Sequence, residues 1–436
     1  GKCFKMDVSK AYCTEVDMDY RGRMYNVAHA GPNAQKDDMN KGLYHLVHGG
    51  YVEYKSDEYY HLIAELEDVC SKKSAVVEHM CSEQFIMRVA KAPAHALYTY
   101  HNKVSKPYQY VRMCIEIANI IKNGNGYIHY PVGLDAKCSG SQIYAILAGD
   151  MTMLRSCGFS LKGEIADPYL RTINMFNAIT NSKYGFDAAT LREAFKTPYM
   201  AVSYSGGLPS LLGDSKLMSH VPEGADKFKF AEQVLESIHA VFGTKIMGLI
   251  KVISSAVLAK CEEDGVENFA FTMHDGALMH SVACPKVDIT SGYSEIRFAP
   301  GVMIAFGSKL ENKGLVVSSR VPCKDEFARK FCVNYIHALD ALIARTVVVL
   351  CKEAGIKNVV SIHDCFRVGA ADVTKLQGII QLAYKKVFID NNPLEHLFEQ
   401  IGVNPNQLKK FGGALTEAMI YQEGNFFFCV QCKEWN

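Results

Sequence analysis

Apolar residues recur every three or four positions over several long stretches of the chain, which is the spacing of amphipathic helices packed against a core. Between residues 56 and 125 the repeating positions are Tyr59, Leu62, Ile63, Leu66 and Val69, and then Val111, Cys114, Ile115, Ala118 and Ile121. Further helices are predicted from Cys138 to about Leu154, from Ala188 to Val202, over residues 227–262 and 325–355, and after residue 373.

Shorter apolar runs between these stretches have the length and composition of strands. The run Tyr130–Leu134 ends at Asp135, and the run Asn358–Ile362 ends at His363-Asp364, after which Phe366–Val368 leads away. Hairpins are also predicted over residues 268–290, around Asp275-Gly276, and over Asp17–Val27, around Arg21-Gly22-Arg23. Two predicted strands therefore deliver an aspartate to their ends.

Composition places few limits on function. The 436 residues are 49% hydrophobic and 21% charged, as in an ordinary globular protein with two or three subdomains. The net charge of +1 neither requires nor excludes a polyanionic partner, so any contact with nucleic acid must come from local basic patches. No apolar run reaches about 18 residues, and residues 1–5 lack the apolar stretch of a signal peptide, so no membrane partner is expected.

The chain has 15 cysteines, mostly single and inside apolar segments. This distribution is typical of reduced, buried thiols in a cytosolic protein rather than of a disulfide framework. Cys429 and Cys432 have the spacing of a zinc-binding pair, but the chain offers no second pair at matching distance, so zinc is not predicted.

The aspartates Asp135 and Asp364 are candidates for binding metal. An aspartate at the tip of an apolar hairpin is well placed to hold a cation, although many such residues are simply solvated. Two carboxylates far apart in sequence, each at a strand end, fit a site that holds two cations about 4 Å apart and transfers phosphoryl groups.

The predicted helix from Ala188 offers a second candidate. Arg192 and Lys196 are separated by about 40° around the helix axis, and Tyr204 by about 80° more, so all three share one face. Two cations at this spacing could bind nucleotide phosphates. The alternative is a solvated basic face with a tyrosine at its edge.

These segments resemble, in order, the motifs of the phage-type single-subunit RNA polymerases, which are related to the family A DNA polymerases. The matching segments are Asp19–Tyr25, Leu134–Gln142, the helix with Arg192, Lys196 and Tyr204, Asn334–His337, and Ser361–Phe366. Weaker similarity extends through Asp38–Gly42. The order of the motifs across most of the chain, rather than any single motif, indicates the family.

The resemblance implies a role for each matching residue. Asp135 and Asp364, with the backbone carbonyl of Ala136, would bind two Mg²⁺ ions, and Arg192 and Lys196 would contact the triphosphate. Tyr204 and His337 would lie at the sugar-selection point, and His363 beside the growing 3′ end. The residues implied to contact the template or the hybrid are Arg21, Gly22, Arg23, Tyr25 and Lys41. Without the resemblance, His337 could equally be a core histidine.

The resemblance implies RNA rather than DNA synthesis. Family A DNA polymerases carry a bulky glutamate that excludes the 2′-hydroxyl in the segment where this chain has Ser139 and Gly140, which leaves room for that group. The chain departs from the family's usual pattern at Ala136, Ser205 and Cys365. The substrates and partners implied are NTPs, a DNA template and the RNA product.

The expected fold is α+β, a right-hand polymerase palm with mostly helical fingers. The expected boundaries are palm over 1–159 with a helical insertion at about 50–125, fingers over 160–344, and palm with a C-terminal extension over 345–436. The thumb and N-terminal domain are expected to be absent, because the template motif begins at residue 19. The chain thus resembles the larger, catalytic subunit of the two-polypeptide, N4-like phage RNA polymerases.

This resemblance implies an obligate heterodimer with a smaller, thumb-bearing subunit, a helper protein that opens the template, and a location in the cytoplasm of an infected bacterial cell. Two other functions stay open at this point. One is a family A-like DNA polymerase, and the other is a non-catalytic, polymerase-derived subunit that binds nucleic acid. Retention of Asp135, Asp364 and Lys196 argues against the second.

Overall fold

The computed structural model describes residues 15–27, 33–70, 74–159, 167–184, 188–204, 206–266, 268–282, 285–290, 303–304, 315–322, 324–421 and 427–428. Its helices are α1 (Asp38–Leu43), α2 (Asp57–Cys70), α3 (Ser74–Met80), α4 (Glu83–Lys91), α5 (Pro93–Tyr100), α6 (Pro107–Asn123), α7 (Ser139–Ala148), α8 (Met151–Ser156), α9 (Pro168–Ile179), α10 (Ala188–Ser203), α11 (Leu208–Leu212), α12 (Ser215–Met218), α13 (Lys227–Glu263), α14 (Lys324–Glu353), α15 (Val373–Lys385), α16 (Pro393–Gln400), α17 (Pro405–Leu408) and α18 (Glu417–Tyr421). A 3-10 segment, Ala370–Asp372, precedes α15, and a π-helical segment, Lys386–Asp390, follows it.

The strands are fewer and short. They are β1 (Glu15–Met18), β2 (Met24–Val27), β3 (Gly50–Glu53), β4 (Asn125–Ile128), β5 (Val132–Ala136), β6 (Asn268–Thr272), β7 (Leu278–Val282), β8 (Pro285–Thr290), β9 (Met303–Ile304), β10 (Leu315–Pro322), β11 (Val360–Ile362), β12 (Cys365–Val368) and β13 (Phe427–Phe428). The segment Asp17–Val27, predicted as a strand or hairpin, lies in the antiparallel pair β1–β2. The hairpin predicted around Asp275-Gly276 is confirmed as β6–β7, but it ends at Val282, and β8 pairs with β10 instead. Helix mixed with small antiparallel sheets is compatible with the expected α+β class.

The sheet that positions the candidate site has the strand order β11-β12-β5-β13, and each neighbouring pair is antiparallel. One surface of the sheet is buried through Val132 and Leu134 of β5 and Phe366 of β12. Helix α15 packs against β5 and buries Leu376 and Ile380. The apolar runs predicted as strands are thus three neighbouring strands of one sheet, β11, β12 and β5. Alternate side chains of the two central strands, β12 and β5, enter this core.

Helices α2 to α6 form one continuous segment between β3 and β4. Because β3 and β4 pair with each other, this segment begins and ends at the same place in the fold. A buried ion pair joins this helical part to the sheet. Arg367 of β12 donates to Glu65 of α2 at 2.5 Å, and the backbone N–H of Gly133 in β5 donates to the same carboxylate at 3.3 Å. The helical part therefore helps to fix the strands that carry the aspartates.

The predicted single helix from Cys138 to Leu154 is wrong. The chain forms two helices, α7 and α8, which are separated at Gly149 and Asp150. Gly149 has φ +69°, and a Cβ there would lie 2.3 Å from the carbonyl oxygen of Gly412. Asp150 then caps α8 by accepting from the N–H of Met153. Close approach of another backbone segment thus ends α7 where apolar spacing alone predicts continuation.

The long predicted helix over 227–262 is present as α13 but is kinked at Gly243, whose φ is +75°. Its buried residues Phe230, Val234 and Ile238 recur every four positions, as on the inner face of an amphipathic helix.

By length and composition alone, two described helices could cross a membrane: Lys227–Glu263 and, within α14, Lys330–Glu353. In their most apolar windows, 33% of the first and 72% of the second is buried inside the protein. Core helices pass the same test, so this finding is weak support for a membrane span.

Candidate active site

Asp135 and Asp364 meet at one end of the central sheet. Asp135 lies near the end of β5, where its Cα is paired with that of Cys365 in β12. Asp364 belongs to the two-residue loop between β11 and β12, and its carbonyl oxygen accepts from the N–H of Ala136 at 3.3 Å. The structure therefore brings together two aspartates that are far apart in sequence.

Burial raises the pKa of Asp135 to about 7, and the negative charge of Asp364 adds to this increase. The Lys196 ammonium acts in the opposite direction. Two neighbouring carboxylates with little water around them repel each other, and a bound cation relieves that repulsion. The electrostatics of this pair thus favour cation binding.

The backbone is strained immediately beside both aspartates. His363, just before Asp364, has φ +55°, and Cys138, three residues after Asp135, has φ +57°. For residues with a Cβ, the left-handed conformation costs roughly 1–2 kcal/mol each. Strain of this kind is concentrated at functional sites, where the surrounding structure holds it in place.

The imidazole of His363 faces the β1–β2 hairpin. Its ring lies edge-on to Tyr25, with 5.2 Å between ring centroids. Its Nδ1 is buried, and the part of the chain that the structure describes offers it no hydrogen-bond partner. Burial lowers the pKa of His363, and the Arg23 guanidinium lowers it further. A neutral imidazole with one unsatisfied nitrogen is thus placed next to Asp364.

The β1–β2 hairpin is organised by Asp19. Its carboxylate accepts from the backbone N–H groups of Arg21 and Arg23, at 2.9 and 3.0 Å, and from the Arg21 side chain at 2.6 Å. Gly22 has φ +76°, and a Cβ there would lie 2.5 Å from the Arg345 guanidinium. The tight turn therefore requires glycine between the two arginines.

His337 is buried on α14 and links the hairpin to Tyr204. Its Nδ1 accepts from Arg21 at 3.0 Å, and its ring lies 4.9 Å from the Tyr204 ring. Burial lowers the pKa of His337 to about 3, and Arg23 and Arg21 contribute to the decrease. His337 is therefore a neutral acceptor that holds both partners in place.

Tyr204, the residue after the end of α10, packs between His337 and α7. A Cβ added to Gly140 would lie 3.2 Å from the Tyr204 hydroxyl, so the phenol approaches the backbone of α7 closely. Burial raises the pKa of Tyr204 to about 12, which keeps the phenol protonated and able to donate.

The two cations predicted on α10 have different surroundings. Lys196 is exposed, and its charge acts on Asp135. Arg192 donates from Nε to Asp167 at 2.5 Å and from Nη1 to Glu193 at 3.1 Å. Lys41, on α1, is half-buried; burial lowers its pKa, and the charges of Arg367 and Lys106 lower it further.

Asp340 is a residue of this site that the sequence analysis missed. It is 5% exposed, and Arg23 donates to it at 2.8 Å. Burial raises the pKa of Asp340 to about 6, with a further contribution from Asp364. Its position three residues after His337 on one helix was an available signal, because side chains at this spacing share a face.

Oxygen ligands suit Mg²⁺, which commonly uses one or two protein carboxylates and retains waters or substrate phosphates for its other positions. Among the described residues, no group of three or more histidine, cysteine, aspartate or glutamate side chains could hold a metal ion. The pair Asp135–Asp364 fits a site that substrate completes rather than a closed protein cage. Cys429 and Cys432 lie outside the described residues.

The short strand β13 also lies at the site. Phe428 pairs with Asp135, and Phe427 with Ala136, so the chain near its C-terminal end lies beside the first aspartate.

Comparison with known proteins identifies the family. A family model described as DNA-dependent RNA polymerase matches residues 69–197 and 317–413, which together are just over half of the chain. The matched residues include Asp135, Lys196, His337 and Asp364, whereas the β1–β2 hairpin and Tyr204 lie outside them. A search of curated proteins found no significant match. The chain belongs to the phage-type DNA-dependent RNA polymerase family and is therefore a nucleotidyltransferase.

Proposed function

We propose that this chain is a catalytic polymerase subunit that adds NTPs to an RNA 3′ end by a two-Mg²⁺ mechanism on a DNA template. The observation that supports this most directly is the placement of Asp135, on β5, beside Asp364, in the loop before the neighbouring strand β12, with the pKa of Asp135 raised to about 7. When bound, the two ions would activate the attacking hydroxyl and stabilise the leaving phosphate oxygen.

The protein's own contribution is positioning and charge. Asp135, Asp364 and the carbonyl of Ala136 would hold the ions. Lys196, whose charge already acts on Asp135, would bind the triphosphate together with Arg192. His363, beside Asp364, would support the 3′ end through its unsatisfied Nδ1.

The pocket formed by Tyr204, His337 and Gly140 would receive the sugar of the incoming nucleotide. The Tyr204 hydroxyl lies close to Gly140, where a larger side chain would crowd it, and the protonated phenol can donate to a hydroxyl. Arg21, Gly22, Arg23 and Tyr25 would contact the template or the hybrid. Lys41 would likewise contact the nucleic-acid backbone.

In this proposal, the β11-β12-β5-β13 sheet with its covering helices is the palm, and the helices around α10 and α13 belong to the fingers. The proposed boundaries are 1–159 with its insertion, 160–344 and 345–436. A smaller thumb-bearing subunit would complete the enzyme, and a helper protein would open the template in the cytoplasm of an infected bacterium. Processive elongation by the purified chain alone would contradict the heterodimer.

The proposed chemistry is tested by Mg²⁺-dependent extension of an RNA primer on single-stranded DNA. We expect Asp135→Asn and Asp364→Asn each to abolish extension while template binding, measured by fluorescence anisotropy, stays largely intact. Asp264→Asn is the matched control, because Asp264 is an exposed aspartate at the end of α13. Extension that survives both active-site changes would overturn the proposal.

A further inference from the structure

The guanidinium of Arg192, a proposed ligand of the triphosphate, is already occupied by protein groups. Its Nε donates to Asp167 at 2.5 Å, and its Nη1 donates to Glu193 at 3.1 Å. One face of the guanidinium is covered by the Tyr169 ring, with 5.2 Å between Cζ and the ring centroid. A phosphate that binds Arg192 side-on, through Nε and Nη2, must therefore displace Asp167 from Nε.

The two carboxylates differ in how firmly they are placed. The Asp167 side chain is 12% exposed, whereas that of Glu193 is 43% exposed. Asp167 also caps α9, since its Oδ1 accepts from the N–H groups of Tyr169 and Leu170, while its Oδ2 accepts from Arg192. The backbone thus fixes Asp167, and one oxygen stays free of the cap to hold the arginine.

We propose that Asp167 is a positioning residue that occupies the Nε donor of Arg192 when no nucleotide is bound, and that triphosphate or pyrophosphate must compete with it for the side-on donors Nε and Nη2. The competition follows from chemistry, because a carboxylate and a phosphate both accept from these N–H donors. Asp167 keeps a half-buried cation paired when no nucleotide is bound and pairs with it again when pyrophosphate leaves. This inference rests on the proposed function of Arg192.

Charge around Asp167 supports the exchange. Besides Arg192, its carboxylate has the Lys137 ammonium as a charged neighbour, so it partly neutralises two cations near Asp135. A polyanion that binds these cations must displace this carboxylate and also lose part of its own hydration shell. Removal of the Asp167 charge should therefore strengthen anion binding rather than weaken it.

The experiment measures binding of inorganic pyrophosphate to the full chain by isothermal titration calorimetry. Asp167→Asn keeps the helix cap, because asparagine is an equally good capping residue, and removes both the charge and the acceptor that face Arg192. We expect the Kd to fall about tenfold, the lower end of the effect of one hydrogen bond to a charged group. Glu193→Gln, which removes an equal charge beside the same guanidinium, should change the Kd less than about twofold. Asp167→Glu, which keeps the charge, should return the Kd towards the wild-type value.

Arg192→Gln tests whether Asp167 acts through the arginine. In that background, Asp167→Asn should no longer lower the Kd substantially. An undiminished decrease would show a general charge effect and would overturn the proposal, as would an unchanged or higher Kd in the single variant. Thermal unfolding followed by circular dichroism verifies that each variant is folded. If Asp167→Asn does not fold, Asp167→Glu keeps the proposal testable.

Primer extension separates this inference from the proposed function. In Asp167→Asn we expect KM for NTP to fall with little change in kcat, and pyrophosphate to inhibit at lower concentration. If the wild-type chain binds pyrophosphate as described but shows no extension, the proposed function fails and the Asp167 exchange stands. If extension proceeds but KM for NTP rises in Asp167→Asn, the proposed function stands and the Asp167 exchange fails.

Discussion

The two sides of the candidate site are held by ion pairs of different character. On the hairpin side, formed by β1–β2, Tyr204, His337 and Asp340, the Arg23–Asp340 pair is 16% and 6% exposed. On the phosphate side, formed by α10 and Asp167, the Arg192–Asp167 pair is 33% and 12% exposed. The less exposed pair exchanges poorly with ligand, so the hairpin side is suited to holding a fixed shape. The phosphate side is suited to exchange with a charged substrate.

The largest expected effect comes from breaking the hairpin-side pair. Asp340→Ala leaves the Arg23 guanidinium buried without its partner, and loss of one member of a buried pair costs about 3–5 kcal/mol. We expect the free energy of unfolding, measured by urea denaturation, to fall by this amount and primer extension to be largely lost.

The matched control for this change is Asp68→Ala, which breaks the Lys106–Asp68 pair at the same N–O distance of 2.8 Å but with 42% of the lysine side chain exposed. We expect a cost below about 1 kcal/mol there. Equal costs for the two variants would show that the hairpin side is no more rigidly held than an ordinary surface pair.

Gly22→Ala is expected to disturb the hairpin side next most strongly. The residue has φ +76°, and its Cβ would collide with the Arg345 guanidinium. Conformational strain and overpacking together should cost about 2–4 kcal/mol of unfolding free energy. Gly124→Ala is the control, because Gly124 has φ +78° with no heavy atom within 4 Å of the added Cβ. A cost no greater than that of Gly124→Ala would mean that Arg345 moves away freely.

The aspartate pair between the two sides predicts a pH dependence. Burial and Asp364 raise the pKa of Asp135 from 3.8 to about 7. Because folding raises this pKa, Asp135 stabilises the metal-free chain fully below about pH 3.8 and loses that contribution as pH rises through about 7. Asp364→Asn removes the repulsion, so we expect this variant to lose less unfolding free energy between pH 4 and pH 7 than the wild type. Urea denaturation across that range measures the difference, with Asp264→Asn as the control.

Protons and Mg²⁺ compete for the same carboxylate, so metal affinity should follow this titration. We expect Mg²⁺ affinity, measured by calorimetry, to increase by up to about tenfold per pH unit below pH 7 and to level off above it. An affinity that is constant from pH 6 to pH 8 would contradict Asp135 as a ligand.

Local patterns predicted the elements of this site but not the contacts that hold them. The strand-end aspartates could be recognised because Tyr130–Leu134 and Asn358–Ile362 are apolar runs that each end at an acidic residue. The end of α7 at Gly149 could not be recognised from the sequence, because it depends on the close approach of the Gly412 backbone. Asp167 and Arg192 are 25 positions apart, and the pair exists only once α9 and α10 pack together. Tertiary contacts of this kind leave no periodic signal in the sequence.

The smallest expected effect lies where the hairpin side meets the proposed sugar pocket. Tyr204→Phe keeps the ring that packs 4.9 Å from His337 and removes only the hydroxyl near Gly140, so stability should not change. If the hydroxyl reads the sugar, the preference for NTP over dNTP in primer extension should fall about two- to tenfold, the value of one neutral hydrogen bond. Gly140→Ala, which crowds the hydroxyl without removing it, should instead raise KM for both substrates. An unchanged sugar preference in Tyr204→Phe would exclude the hydroxyl from selection and leave Tyr204 as a packing partner of His337.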